Sequence, residues 1–147
     1  MVSAFLRRLL APAPAPVGHK DATLALAALL VRIARSDGEY AETEKARIDR
    51  VMMSREGLSS SGAGALRQEA EGLEAEAPDT VRFTRALKEA VAPEERLALV
   101  EALWSVALAD GGRDASEDRL MRLVVSLLGV TDVDSGIARQ RALRAEN

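Results

Sequence analysis

Residues 24–31, which read Leu-Ala-Leu-Ala-Ala-Leu-Leu-Val, are apolar at every position, and residues 97–108 interrupt a similar run only at Glu101 and Ser105. A helix with no polar face at its middle cannot lie on a surface and must be enclosed on nearly every side. Two such helices in one chain of 147 residues require a shell of amphipathic helices around them. The 48% apolar content is mostly Ala, Leu and Val, with only 3% aromatic, which suits close helix packing better than a β-sandwich. The expected fold is all-α, a single compact bundle of about seven helices. Neither run reaches the ~20 apolar residues that a bilayer span needs, and Arg32 and Arg35 follow the first directly.

The shell can be read from punctuation and period. Asp21 is expected to cap the first apolar helix. Ile48, Val51 and Met52 face inward from a helix over 42–53, and Gly57 closes it. Over 62–77, Leu66, Ala70 and Leu73 form a thin stripe on a strongly acidic helix that Pro78 stops. Its acids from Glu69 to Glu76 predict a solvated outer layer. Asp79 is expected to cap a helix to residue 90 anchored by Phe83, Leu87 and Val91. Pro93, followed by Glu94 and Glu95, suits the start of the second apolar helix. Asp114 with Glu117 forms a capping-box-like start for a helix carrying Leu120, Leu123, Val124, Leu127 and Leu128, which Gly129 ends. Thr131 with Asp134 begins the last helix, which bears Val133 and Ile137 and is expected to fray from Arg139 onward.

Ahead of the domain, Val2, Phe5, Leu6, Leu9 and Leu10 fall at helical spacing with Arg7 and Arg8 on the other side, predicting a short amphipathic helix. The alternating Ala-Pro run of residues 11–16 cannot continue it and should form an extended spacer. The chain thus divides into an N-terminal segment and linker, 1–20, and a helical domain, 21–147. The arginines break the apolar run that a signal peptide would need, so secretion is disfavoured. Three uses of residues 2–10 stay open: folding back on the domain, weak reversible contact with a membrane surface, and docking to a partner.

Composition removes several function classes. The 20 basic and 23 acidic residues are interspersed, giving a net charge of −3, which is no footprint of a nucleic-acid binder. The absence of cysteine excludes disulfides, thiolate metal sites and a cysteine nucleophile. The single histidine, His19, lies in a Pro/Gly-flanked stretch and reads as solvated. Gly62-Ala63-Gly64 follows no strand and has no lysine partner, so it is no phosphate loop. Trp104, Met52 and Met53 read as packing residues. No catalytic constellation emerges, and an enzyme is not expected.

An internal match carries the most information. Residues 30–38, ending in Ser36-Asp37-Gly38, align with residues 103–111, ending in Ala109-Asp110-Gly111, so that Leu30 falls on Leu103 at an offset of 73. Glu44 then meets Glu117, Ile48 meets Met121 and Val51 meets Val124. The bundle reads as two pseudo-repeated units of helix, Asp-Gly loop and helix. With Arg82-Phe83-Thr84-Arg85, Pro93-Glu94-Glu95-Arg96 and Glu101-Ala102-Leu103-Trp104, these residues give a chain that resembles the TerB-like family over about 22–145. That family includes tellurite-resistance proteins and the N-terminal domain of the co-chaperone DjlA. The resemblance implies a cytoplasmic interaction domain, docking protein partners in a stress-response or co-chaperone assembly, with the amphipathic start allowing a peripheral place at the inner membrane.

The chemistry lies at the two Asp-Gly loops. Asp37 and Asp110 each sit at the C-terminal end of an apolar helix, where the dipole disfavours a carboxylate by roughly 0.3–1 kcal/mol. Ordinary turn chemistry accounts for this, with glycine left-handed and the aspartate bonding loop N–H groups. Alternatively, Asp37, Glu39 and Glu44 with Asp110, Asp114 and Glu117 form one or two patches that could hold calcium, magnesium, manganese or zinc through oxygen ligands, or an acidic docking surface. Neither loop is an EF-hand: counting from Asp37, position five is Ala41 and position twelve Ile48; counting from Asp110, position three is Gly112 and position twelve Met121. Ala41 also stands where a helix-capping side chain is usual, and Gly112 replaces the acid matched by Glu39.

Overall fold

The computed structural model describes residues 19–36, 38–77, 79–109 and 115–145, and the side chains of all of these except 19 and 115–117. They form seven α-helices: α1 His19–Arg35, α2 Glu42–Glu56, α3 Ser60–Glu76, α4 Val81–Ala90, α5 Arg96–Ala107, α6 Ala115–Leu127 and α7 Asp132–Ala145. A 3-10 turn, Pro93–Glu95, leads into α5. No strand occurs among the described residues, and none of the described helices is long and apolar enough to cross a membrane. The predicted amphipathic segment 2–10 and its Ala-Pro spacer lie outside the described residues.

α1 is the central helix. Ala25, Ala27, Ala28, Leu29, Leu30, Val31, Ile33 and Ala34 are all fully buried, and α1 touches α2, α3, α4, α5 and α6. Its apolar circumference demands this enclosure. Leu99, Leu103, Val106 and Ala107 of α5 are buried as well. The two apolar helices meet, but they do not cover one another most fully. α1 makes its broadest seams with α3 and α4, and α5 makes its broadest with α7. Alanines explain the arrangement, because Ala63 and Ala70 on α3 and Ala138 and Ala142 on α7, all buried, let those helices approach closely.

Helix ends follow the punctuation, with shifts of a few residues. Gly57 adopts φ +68° and its N–H donates to the Met53 carbonyl at 3.0 Å, a left-handed stop that side chains other than glycine take at a cost. Ser59 caps α3 by accepting from the Gly62 N–H at 3.1 Å, two residues earlier than the sequence suggests. Asp79 Oδ1 accepts from Arg82 N–H at 3.4 Å, and Thr131 Oγ1 from Asp134 N–H at 3.1 Å. α1 begins at His19, so Asp21 lies inside its first turn rather than capping it. Favourable charge at a helix start is retained there.

Two expectations need correction. α7 continues to Ala145 and buries Ser135, Ala138 and Ala142, while Val133 and Ile137 stand 74% and 42% exposed. Small residues rather than the β-branched pair form its inner face, because α7 lies close against α5. α3 is a solvated outer layer only in part, for Glu69 and Glu76 are exposed while Glu71 and Glu74 are half-buried and tie it to its neighbours. Arg32 and Arg35 of α1 both hold Glu74, with Arg32 Nε to Oε2 at 3.0 Å and Arg35 Nη1 to Oε1 at 2.7 Å. Arg32 further donates to the Glu74 and Ala77 carbonyls at 3.1 and 3.2 Å and to Thr80 Oγ1 at 3.3 Å, and its guanidinium lies 5.5 Å from the Phe83 ring centre. One planar fork thus bonds two carbonyls at the C-terminal end of α3, that of Glu74, which also accepts from the Ala77 N–H at 3.3 Å, and that of Ala77.

Candidate functional site

The first Asp-Gly loop leaves α1 through Ser36, whose hydroxyl donates to the Ile33 carbonyl at 2.7 Å, and Gly38, whose N–H donates to the Arg35 carbonyl at 3.0 Å. Gly38 has φ +86°, a conformation open to glycine and strained for most other residues. After the loop, Ala41 offers no side-chain cap to α2. Instead Glu44 Oε1 accepts from the Ala41 N–H at 2.9 Å, so the glutamate half of a capping box operates without its usual partner. The Glu44 N–H, from which a capping side chain would accept, donates instead to the Ala41 carbonyl at 3.1 Å, so Ala41 can stand at a capping position. The bond from the Ala41 N–H also gives the Glu44 carboxylate, only 1% exposed, a structural task.

Tyr40 fastens the loop to the rest of the bundle. Its ring centre lies 5.0 Å from the Arg35 guanidinium and 4.9 Å from the Lys45 ammonium, and its hydroxyl donates to Glu71 Oε2 at 2.6 Å. Arg67 joins the same carboxylate at 2.8 Å and reaches Asp49 Oδ1 of α2 at 2.7 Å. Burial, reinforced by the bond to Glu71, pushes the Tyr40 phenol well above its ordinary range. Bonding to Asp49 outweighs burial and raises Arg67, so its charge is permanent. Burial alone would raise the Glu71 carboxyl, but the Tyr40 hydroxyl and the Arg67 and Arg35 charges outweigh it and hold it below the usual value. Nothing in the apolar pattern marks Glu71 as inward; the signal was the lone tyrosine two residues past an Asp-Gly pair.

Of the six candidate ligands, Glu39 is exposed beside the loop and Glu44 is buried as a cap. Asp37, Asp110 and Asp114, and the side chain of Glu117, lie outside the described residues. Among the described residues no three His, Cys, Asp or Glu side chains converge as a metal site would require. A cation bound at the first loop would have to share Glu44 with the start of α2, so the described donors fit a metal only in part.

On α5, ahead of the second loop, Trp104 is buried to 9% exposure with its indole N–H donating to Ser135 Oγ at 3.0 Å, and the Arg139 guanidinium lies 5.6 Å from its ring centre. It fastens α5 to α7. Among the described residues the surface carries several open hollows. One of about 330 Å³ runs between α2, α5 and α7, another of about 310 Å³ lies beside Trp104, and a third of about 450 Å³ lies between α4 and Leu127 of α6.

A family model described as tellurite resistance protein TerB matches residues 23–140, a span that takes in all seven helices in whole or part. Neither a curated protein nor a solved structure matches the chain.

Proposed function

Because the chain belongs to the TerB family, we propose that it is a non-enzymatic interaction domain, docking protein partners in a stress-response assembly of tellurite-resistance type or in one tied to a co-chaperone. The observation that carries this reading is how the polar side chains are used. Arg32, Arg35, Glu74, Tyr40, Glu71, Arg67 and Asp49 join helices to one another, while the hollows open to the surface and are lined by charged and apolar side chains. Catalytic sites gather polar groups in enclosed clefts, whereas docking surfaces are open. The test is crosslinked capture from native cells, with an unrelated helical bundle of similar charge as control bait. Enrichment of a defined partner supports the proposal, and recovery no better than the control defeats it.

A second reading, divalent-cation binding at the Asp-Gly loops, draws on the matched placement of two Asp-Gly pairs, Asp37-Gly38 and Asp110-Gly111, each followed at the same spacing by a glutamate, Glu44 and Glu117. A ligand that binds only the folded state raises its melting temperature. Millimolar calcium, magnesium, manganese or zinc should then raise the melting temperature of the native chain and leave that of the D37N/D110N double variant unmoved. An unmoved curve for the native chain eliminates this reading.

A further inference from the structure

The hollow between α2, α5 and α7 is built from matching stripes. α2 contributes Arg47, Arg50, Val51 and Arg55, and α5 contributes Ala98, Glu101, Ala102 and Ser105. Both sets recur at three- and four-residue intervals, so each is one helical face. On α5 these are the positions where the apolar run of residues 97–108 is broken by Glu101 and Ser105, and they mark the side that the bundle leaves open. α7 closes the far wall with Ala142 and Ala145, so the floor is mostly alanine with Val51.

Charge decides what such a groove can hold. Arg47 is fixed in place, its Nη1 donating to the Ser105 carbonyl at 3.0 Å and hydroxyl at 3.2 Å. Arg50 and Arg55 are exposed and form no ion pair among the described residues, unlike Arg32, Arg35 and Arg67, each of which holds a carboxylate. Among the described residues, three arginines against Glu101 line this groove, on a chain whose net charge is −3. From Arg47 to Arg55 the basic edge extends about 12 Å at 1.5 Å per residue, two turns of helix.

We infer that this groove docks an acidic amphipathic helix of a partner protein, with apolar side chains on the alanine floor and carboxylates along the arginine edge. The inference rests on the interaction-domain reading above and names its partner's chemistry. The small side chains let a helix backbone come close, and the two-turn basic edge matches carboxylates spaced three, four and seven residues apart. Its volume of about 330 Å³ admits a few side chains, near the lower end of the roughly 300–1,000 Å³ typical of small-molecule sites. A bilayer surface would meet the arginines but could not reach the concave floor.

The probe is a fluorescein-labelled peptide of about 15 residues, long enough to hold a helix, with leucines along one face and glutamates flanking them. Anisotropy with the full chain should show saturable binding that weakens as salt rises from ~0.05 to ~0.3 M. R50E/R55E, which alters only exposed side chains, should weaken binding roughly tenfold, two attractive contacts becoming repulsive. A peptide with Gln for every Glu should bind no better to the native chain than to the variant. Amide shifts confined to residues 47–55, 98–105 and 142–145 would place the peptide in the groove. Absence of saturable binding, binding indifferent to R50E/R55E with an intact melting curve, or loss in the variant of anionic-vesicle binding without any peptide binding each overturns the inference. If a partner is captured from cells equally by native chain and variant, the interaction reading stands and the groove assignment fails.

Discussion

Glu74→Gln separates the observed role of α3 from the solvated outer layer that its composition suggests. The carboxylate holds Arg32 Nε at 3.0 Å and Arg35 Nη1 at 2.7 Å, with the glutamate side chain 13% exposed and the arginines 17% and 36%. A bond to a charged partner contributes about 1.5–3 kcal/mol when shielded, the regime of Arg32. The more exposed Arg35 contact falls in the ~0.2–1 kcal/mol range of surface pairs. Removing a negative charge from the last turn of α3 relieves about 0.3–1 kcal/mol of dipole repulsion. Arg32 also keeps its bonds to Thr80 and to the Glu74 and Ala77 carbonyls, which limits the damage. The net expectation is a loss of roughly 2 kcal/mol, read from urea unfolding at unchanged slope. Glu69→Gln, at an exposed position on the same helix, should stay within about 0.5 kcal/mol. If the two variants lose stability equally, the ion-pair account of α3 is wrong.

Further expectations follow from the core and the tyrosine network. Leu103→Ala, at a fully buried position on α5, should cost about 2–5 kcal/mol in urea unfolding, and a loss below ~1 kcal/mol would mean that the site is not core. Tyr40 keeps its proton in the folded state above the ordinary value of 10.0, so stability present below pH 10 should fall as pH rises through the alkaline range, and Tyr40→Phe should flatten that limb. Glu71 has the opposite sign: its depressed carboxyl contributes stability above its ordinary value of 4.5 that is lost as pH falls further, and Glu71→Gln should flatten the acid limb. Unchanged limbs in both variants would remove the network from the pH response.

Hydrophobic period revealed most of the fold because burial acts on whole faces. Residues 24–31 could be placed inside without knowing their neighbours, and 97–108 only in part, since Ala98 is exposed and Leu97, Glu101, Ala102 and Ser105 are half-buried; glycines 57 and 129 stopped helices through their own left-handed backbone, at φ +68° and +77°. What escaped was pairing, since a sequence shows that Glu71 and Glu74 are charged but not that Arg67, Arg32 and Arg35 stand opposite. The same limit applied at α7, where Val133 and Ile137 have the stronger apolar signal, yet Ser135, Ala138 and Ala142 turn inward.

The candidate site divides along the same line. Matched Asp-Gly pairs drew attention to carboxylates as ligands, but the described member nearest the core, Glu44, bonds the Ala41 N–H and starts α2. A glutamate three positions after the residue at the cap was the clue, because its carboxylate can reach back to that residue's N–H. The open face of α5 was passed over when residues 97–108 were read as enclosed, although the run carries its trace as an interruption. A helix enclosed on every side has no use for Glu101 and Ser105 four residues apart on one face. Their presence on α5 marks a face turned toward water, and α2 brings Arg47, Arg50 and Arg55 to its edge. Where a buried helix retains a polar pair at helical spacing, the bundle has left a side open, and the charges that neighbouring helices place around that opening set what can dock there.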